Sequence, residues 1–331
     1  MSRELSLAEI FQLGYYWETK ILLTAVKLDL FSALNGNPRS SSQLAQALNL
    51  ADRPLVLLLN ALVAMRVLKK EAEAFMNTDV AQRYLVKTQD EYVGHLLLLH
   101  DAEWENWGKL EETIRTGTSP VSQHVFETNP DMGANVLSVL HRIGKESGPS
   151  LAKRMNLNGS KTLLDVGGGA GTNAIACCQE YPELTATVFD LPQTLVLTEQ
   201  VIKKVGLEDR IRTRAGNFHV DSFDGTYDVA LMSDILHYQD GAVNAKLVAK
   251  IYDALADGGQ LVIKDRFLDP TGTSPAWTTA FAVHIMVNTE HGQCFTTHTA
   301  LQWMKDAGFQ NVQELEPCAV VQGTKKKDGG I

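Results

Sequence analysis

A chain of 331 residues, 44 % hydrophobic and 21 % charged, carries apolar side chain for two domains and is too apolar for a disordered or low-complexity protein. Its formal net charge of −9 argues against a nucleic-acid surface. The cysteines at 177, 178, 294 and 318 match neither a zinc spacing nor a disulfide framework, so a reducing cytoplasm is the expected compartment.

The N-terminus, "MSRELSLAEIFQLGYYWETK", places acids and aromatics where a secretory leader would have a plain apolar core. "IFQLGYYWETKILLTAVKLDLFSAL" then spaces its apolar residues as an amphipathic helix pair. "SSSQLAQALNL" offers serines to cap a helix, and "RPLVLLLNALVAMRVLKK" predicts a longer one over residues 53–70. That apolar run is too short and too interrupted to cross a bilayer. "EAEAFMNTDVAQRYL" predicts a hairpin and turn. Helix, helix and small hairpin form the pattern of a winged helix, with a generic helical bundle as the alternative. Residues 101–157 again read as helical, in "EWENWGKLEETIRTG" and "MGANVLSVLHRIGKESGPSLAKRM". The expected domains are 1–100 and 101–331, with these helices leading the second.

From Lys161 the pattern changes. "KTLLDVG", "TATVFD", "YDVALMSD" and "GGQLVIKD" are short apolar runs ending in Asp or Gly, with helical patterns between them. This alternation predicts an α/β domain with a parallel, doubly wound sheet. "LQWMKDAGF" follows as a helix, "QNVQELEP" and "CAVVQGTKK" as a terminal hairpin, and the lysines at 325–327 as a solvated tail.

"LLDVGGGAGTNA" sets Gly167, Gly168, Gly169 and Gly171 between a strand and a helix, where backbone amides are free to meet a ligand. The sixth position of a dinucleotide fingerprint is Thr172, so the spacing is wrong for a pyrophosphate. Asp190, nineteen residues past Gly171 and ending the next strand, is placed to accept ribose hydroxyls. The incomplete fingerprint, Asp165 directly before the loop and the terminal hairpin favour S-adenosylmethionine over NAD. His237, in "DILHYQD", follows the fourth strand, at the sheet edge where open α/β folds bind ligands. Alone, it is either an acid–base group or a hydrogen-bonded structural histidine. Asp265, ending "LVIKD", is the candidate to orient it.

In order, "LLDVGGGAGTNA", "TVFDLPQTL", "ILHYQD", "GGQLVIKD" and "LQWMKDAGF" resemble the plant and bacterial small-molecule O-methyltransferases of the caffeate and hydroxyindole type. The similarity extends to the N-terminal half through "LDLFSAL" and "AEWENWGKLEETIRTG". The resemblance implies a Rossmann-like S-adenosylmethionine domain behind a mostly helical, winged-helix-like domain used for homodimerisation. No metal is expected, since "SDILHYQD" offers a histidine where a magnesium-dependent methyltransferase would cluster acids. The negative charge and short apolar runs predict neither nucleic acid nor membrane as partner. Asp165 would belong to the donor site; Gly167 and Gly169 would lie under the methionine part of the donor, Asp190 on its ribose, and Leu191 against its adenine. Gly216, Asn217 and Phe218 would flank the base, with Ser233 facing the cofactor. His237 would be the general base for a small aromatic hydroxyl. Trp104, Trp107 and His141, with Phe281, His284, Ile285 and Met286, would surround the acceptor, and the partner subunit would contribute from its Tyr15–Trp17 region.

Four positions depart from that family. Asn217 replaces an Asp, Asp265 replaces a Glu, and Cys294 with Phe295 stand where a second acid and an arginine are usual. A histidine with one carboxylate fewer is less basic. This leaves room for C- or N-methylation on the same fold, or for a cofactor-binding homologue without catalysis.

Overall fold

The computed structural model describes residues 4–121 and 128–327. The chain divides into two compact units, Met1–Trp104 and Glu105–Ile331. The division falls four residues beyond the expected boundary, so Trp104 belongs to the first unit.

The N-terminal unit begins with helix α1 (Leu7–Leu13), closed by a capping box in which Ser6 and Glu9 bond each other's backbone amides. None of its residues is buried, and Leu7, Ile10 and Phe11 are exposed. Helices α2 (Trp17–Lys27), α3 (Leu30–Ala33), α4 (Ser41–Leu48) and α5 (Asp52–Ala64) follow. A second capping box, Ser40 with Gln43, starts α4. Helices α4 and α5 meet at 117°, within the range of a helix-turn-helix corner. Their apolar stripes enclose a core around Leu30, Phe31, Leu44, Leu59, Leu62 and Phe75.

The run expected as one helix over 53–70 is instead a helix and a strand. Helix α5 stops at Ala64 because Arg66 turns left-handed (φ 61°) and Val67 N–H bonds Leu62 C=O at 3.0 Å, with Arg66 N–H on Val63 C=O at 2.9 Å. That is a Schellman stop built without glycine. Strand β1 (Leu68–Glu71) then pairs antiparallel with β2 (Ala74–Asn77), and α6 (Asp79–Tyr84) and α7 (Gly94–Ala102) complete the unit. Asp101 ties α7 to α2 by accepting from Lys20 (2.7 Å) and Lys27 (2.6 Å).

Helix α8 (Trp104–Gly108) starts on the last residue of that unit; α9 (Leu110–Thr116) and the long α10 (Pro130–Met155) follow. Then come β3 (Thr162–Val166), α11 (Thr172–Glu180), β4 (Thr185–Asp190), α12 (Pro192–Lys204), β5 (Ile211–Ala215) and β6 (Tyr227–Ser233). The chain continues through α13 (Gly241–Ala254), β7 (Leu255–Lys264), α14 (Ala276–Asn288) and α15 (Thr297–Asp306) to the hairpin β8 (Gln310–Glu316) and β9 (Val320–Thr324). Sheet order is β5-β4-β3-β6-β7-β9-β8, parallel up to β7 and antiparallel in the last two strands. The strand order reverses between β3 and β6, which opens a crevice beyond their carboxyl ends.

Both sheet faces are buried, which is why the strands read as unbroken apolar runs. Leu163, Val188, Leu231 and Val262 pack under α10, α11 and α12. Leu164, Val166, Phe189, Met232 and Ile263 pack with α13 and α15 on the other side. Helix α10 approaches α11 through two glycines four apart: a Cβ on Gly144 would sit 3.1 Å from Thr172 Cγ2, and one on Gly148 3.0 Å from Ala176 Cβ.

Among the described residues no single helix is long and apolar enough to cross a membrane, and no His, Cys, Asp or Glu group could hold a metal ion.

Candidate active site

The glycine loop leaves β3 through Gly167 (φ 64°), Gly169 (φ 55°) and Gly171 (φ 74°), a left-handed path that other residues adopt only under strain. A Cβ on Gly167 would lie 2.9 Å from Ile235 Cγ2, so the loop stays concave only with glycine there. Asp190, at the end of β4, accepts from Gly169 N–H through Oδ2 (2.8 Å) and from Leu191 N–H through Oδ1 (2.7 Å). The carboxylate keeps accepting capacity for a ligand hydroxyl. Burial raises the Asp190 pKa, against the pull of the two amides and the Thr194 hydroxyl. Concave glycine backbone beside a strand-end carboxylate fits the ribose and methionine parts of S-adenosylmethionine.

Asp165 requires a correction. Strand alternation puts it on the same face as Leu163, where it is fully buried under the loop, and a Cβ on Gly168 would come within 2.7 Å of its carboxyl carbon. A group with no exposed surface supports the loop from beneath instead of touching a ligand. Burial pushes its carboxyl up to about 7, and the charge of Asp190 adds to that push.

Beside Asp190, Gly216 N–H bonds its C=O at 3.0 Å, and a Cβ on Gly216 would meet the Phe189 ring at 2.4 Å. Asn217 begins a closed turn: its N–H donates to Asp221 Oδ2 (2.8 Å), and its Oδ1 accepts from His219 N–H (2.9 Å). One lone pair of that amide oxygen is therefore already engaged. The Phe218 ring reaches the space beside Gly167, 3.5 Å from where a Cβ would be. Ser233 ends β6 and donates to Asp234 Oδ2 at 2.9 Å.

His237 lies in a short 3-10 turn (Leu236–Tyr238) beyond β6. Its Nδ1 is 2.6 Å from Asp265 Oδ1, and both side chains are nearly enclosed, 4 % and 3 % exposed. Asp265 also accepts from Leu236 N–H (2.9 Å) and Arg266 N–H (2.7 Å), so its charge is fully hydrogen-bonded. A carboxylate only accepts, so the proton sits on Nδ1 and the lone pair on Nε2. Asn244 of α13, wholly buried, fixes the turn by donating to Leu236 C=O at 2.9 Å.

Burial, reinforced by the Asp265 charge, pushes the Cys294 thiol up to about 12. A thiol that stays protonated is neither a nucleophile nor a stand-in for the missing acid. Phe295 packs edge-on against Trp303 at 4.9 Å, filling core where the family carries an arginine.

Helix α14 supplies an aromatic face. Trp277 stacks on Phe281 (4.9 Å, 15°), Phe281 on His284 (5.7 Å, 23°), and Trp107 lies 6.2 Å from His284. Phe281 stands edge-on to the His237 imidazole at 5.1 Å. Met286 is half-buried on this helix. Two expected neighbours, Ile285 and His141, lie elsewhere in the C-terminal unit. Ile285 is buried inward, so close to Gly292 that a Cβ there would meet it at 2.3 Å. His141 bonds Thr172 Oγ1 through Nδ1 at 2.8 Å, which puts it at the glycine loop, and burial first, then Lys145 and Arg142, lower its pKa. Trp104, in the N-terminal unit, packs near Tyr16 (5.9 Å) under the Lys20 ammonium (4.5 Å).

Two features carried no recognisable signal in the sequence. Trp277 looked like one more apolar helix residue. Asp234 has a positive φ of 57° and pairs with Lys264 and, at 3.2 Å, with Arg266. Burial opposes its charge, but the two cations outweigh it and lower its pKa.

The O-methyltransferase domain model matches residues 114–310, and the O-methyltransferase dimerisation domain model matches residues 11–87. The chain belongs to the O-methyltransferase family. It is 31 % identical over 305 residues to a 3-hydroxy-5-methyl-1-naphthoate 3-O-methyltransferase of Streptomyces sahachiroi, covering 90 % of this chain and 88 % of the relative. It is 30 % identical over 304 residues to a tetracenomycin polyketide 8-O-methyltransferase of Streptomyces glaucescens, covering 90 % and 89 %. In structure it matches human N-acetylserotonin methyltransferase in complex with S-adenosylmethionine, with TM-score 0.82, 21 % identity and coverage of 99 % and 100 %. This O-methyltransferase is thus an S-adenosylmethionine-dependent enzyme with a dimerisation domain of its family.

Proposed function

We propose that this O-methyltransferase methylates a hydroxyl on a flat aromatic acceptor, with His237 as general base and Asp265 as the group that orients it. The reading rests above all on the buried 2.6 Å contact between His237 Nδ1 and Asp265 at the carboxyl edge of the sheet. When bound, S-adenosylmethionine supplies an electrophilic methyl on a sulfonium. Gly167, Gly169, Asp190 and Leu191 would hold it, together with Gly216, Asn217, Phe218 and Ser233. His237 Nε2 takes the hydroxyl proton as the oxygen attacks, and Asp265 stabilises the imidazolium that forms. Trp107, Phe281 and His284 present an aromatic wall that suits a planar ring.

The two Streptomyces relatives, one named for a naphthoate and one for a polyketide, support a fused-ring phenol as the acceptor class. The match to the dimerisation domain and four free cysteines support a homodimer working in the cytoplasm. One observation favours a second reading. Cys294 is a neutral thiol in place of an acid, and relatives include an N,N-dimethyltransferase and a tyrosine C(3)-methyltransferase. On that reading His237 positions a nitrogen or carbon acceptor and removes no proton.

Labelled-methyl transfer to a matched panel of naphthols, aryl amines and carbon acids decides between them. Transfer to the naphthols supports the proposal; transfer confined to amines or carbon acids overturns it.

A further inference from the structure

The turn that begins at Asn217 is closed by its own hydrogen bonds and is tied to α13 as well. Lys250, on α13, sends its ammonium into the turn and donates to Phe218 C=O at 2.8 Å and to Asp221 C=O. The same ammonium lies 4.9 Å above the Phe223 ring, and Phe223 stands edge-on to Phe189 at 5.1 Å. Phe189 directly precedes Asp190, and its ring leaves Gly216 no space for a side chain. One cation therefore joins the backbone that carries Phe218 to the strand end that carries Asp190. Burial lowers the Lys250 pKa, against the opposite pull of the Asp221 carboxylate. A lysine serving only the surface of α13 would extend to solvent and not give up its hydration to two main-chain carbonyls.

We propose that Lys250 is a positioning residue for the methyl donor: it holds the Asn217–Asp221 turn so that Phe218 closes over the space beside Gly167. This rests on the reading of Phe218 as a donor contact. Lys250 touches neither donor nor acceptor. Its loss should therefore weaken donor binding while leaving the transfer step and the acceptor site in place.

Calorimetric titration of the full chain with S-adenosylhomocysteine tests this, alongside steady-state kinetics for K250M, K250R and F218A. Losing two charge-assisted bonds should weaken S-adenosylhomocysteine and raise the donor KM about tenfold or more in K250M. kcat at saturating donor and the acceptor KM should stay within about twofold. K250R, whose guanidinium can reach both carbonyls, should recover most of the affinity. If F218A binds at least about tenfold more weakly but K250M binds normally, the donor site stands and the role of Lys250 is wrong. If K250M and K250R lose thermal stability and kcat together while affinity is unchanged, Lys250 is only structural and the proposal is overturned. If F218A itself binds normally, the donor-site reading fails and takes this proposal with it.

Discussion

On the proposed donor side of the C-terminal unit, the groups are backbone amides and the strand-end carboxylate of Asp190. On the proposed acceptor side they are side chains along one helix face. Gly167, Gly169 and Gly216 are there because the chain must turn left-handed or pass an aromatic ring at close range, and substitution at any of them moves backbone. Trp277, Phe281 and His284 are there because residues 277, 281 and 284 fall on one stripe of α14, and any of them can change without moving the helix. The donor side is thus constrained by geometry and the acceptor side by shape alone. A family can keep one cofactor on such a frame while its acceptors diverge.

The largest effect that sharpens this contrast is expected at the junction of the two sides. Asp265→Asn keeps the volume but offers an amide that can donate to Nδ1 and so select the wrong tautomer. kcat should fall about 10²–10⁴-fold, with donor binding unchanged. Gly167→Ala tests the donor side alone: strain at φ 64° plus the approach to Ile235 should weaken S-adenosylhomocysteine about 10- to 100-fold, read by calorimetry. Trp277→Ala tests the acceptor side alone and should raise the acceptor KM about tenfold while the donor KM stays put. A matching rise in donor KM would break the contrast. The smallest effect is expected at Cys294→Ser, within about twofold in kcat. With its pKa near 12, this thiol is protonated at neutral pH, so alkylation should be slow at pH 8 and quicken only as pH rises toward 12.

Asp165 adds a pH dependence of known sign. Its folded pKa, about 7, lies above its ordinary value of 3.8, so the folded state holds the proton more tightly. Its contribution to stability is present below pH 4 and is lost as pH rises through 7. Denaturant unfolding of D165N between pH 4 and 8 should show a flatter profile than the parent.

The sheet, the glycine loop, Asp190, His237 and Asp265 were legible because each sits where a strand ends, and strand ends are marked by a change from apolar residues to Gly or Asp. Other features were not. The stop of α5 was hidden because Arg66 occupies the left-handed position where glycine would signal it. Asp165 was misjudged by proximity to the loop, although counting alternate residues from Leu163 assigns it to the buried face. Trp277 and Lys250 leave no mark in a sequence, since an apolar residue in a helix and a lysine on one are the commonest things there. Their roles come from what the fold brings beside them.

On the proposed mechanism, His237 removes the acceptor proton. Single-turnover methyl transfer by His237→Ala, with donor and a naphthol acceptor both saturating, tests it most directly. The rate should fall about 10²–10⁴-fold while S-adenosylhomocysteine binds as before. A fall of less than about tenfold would contradict the claim and leave His237 a residue that merely packs at the end of a strand.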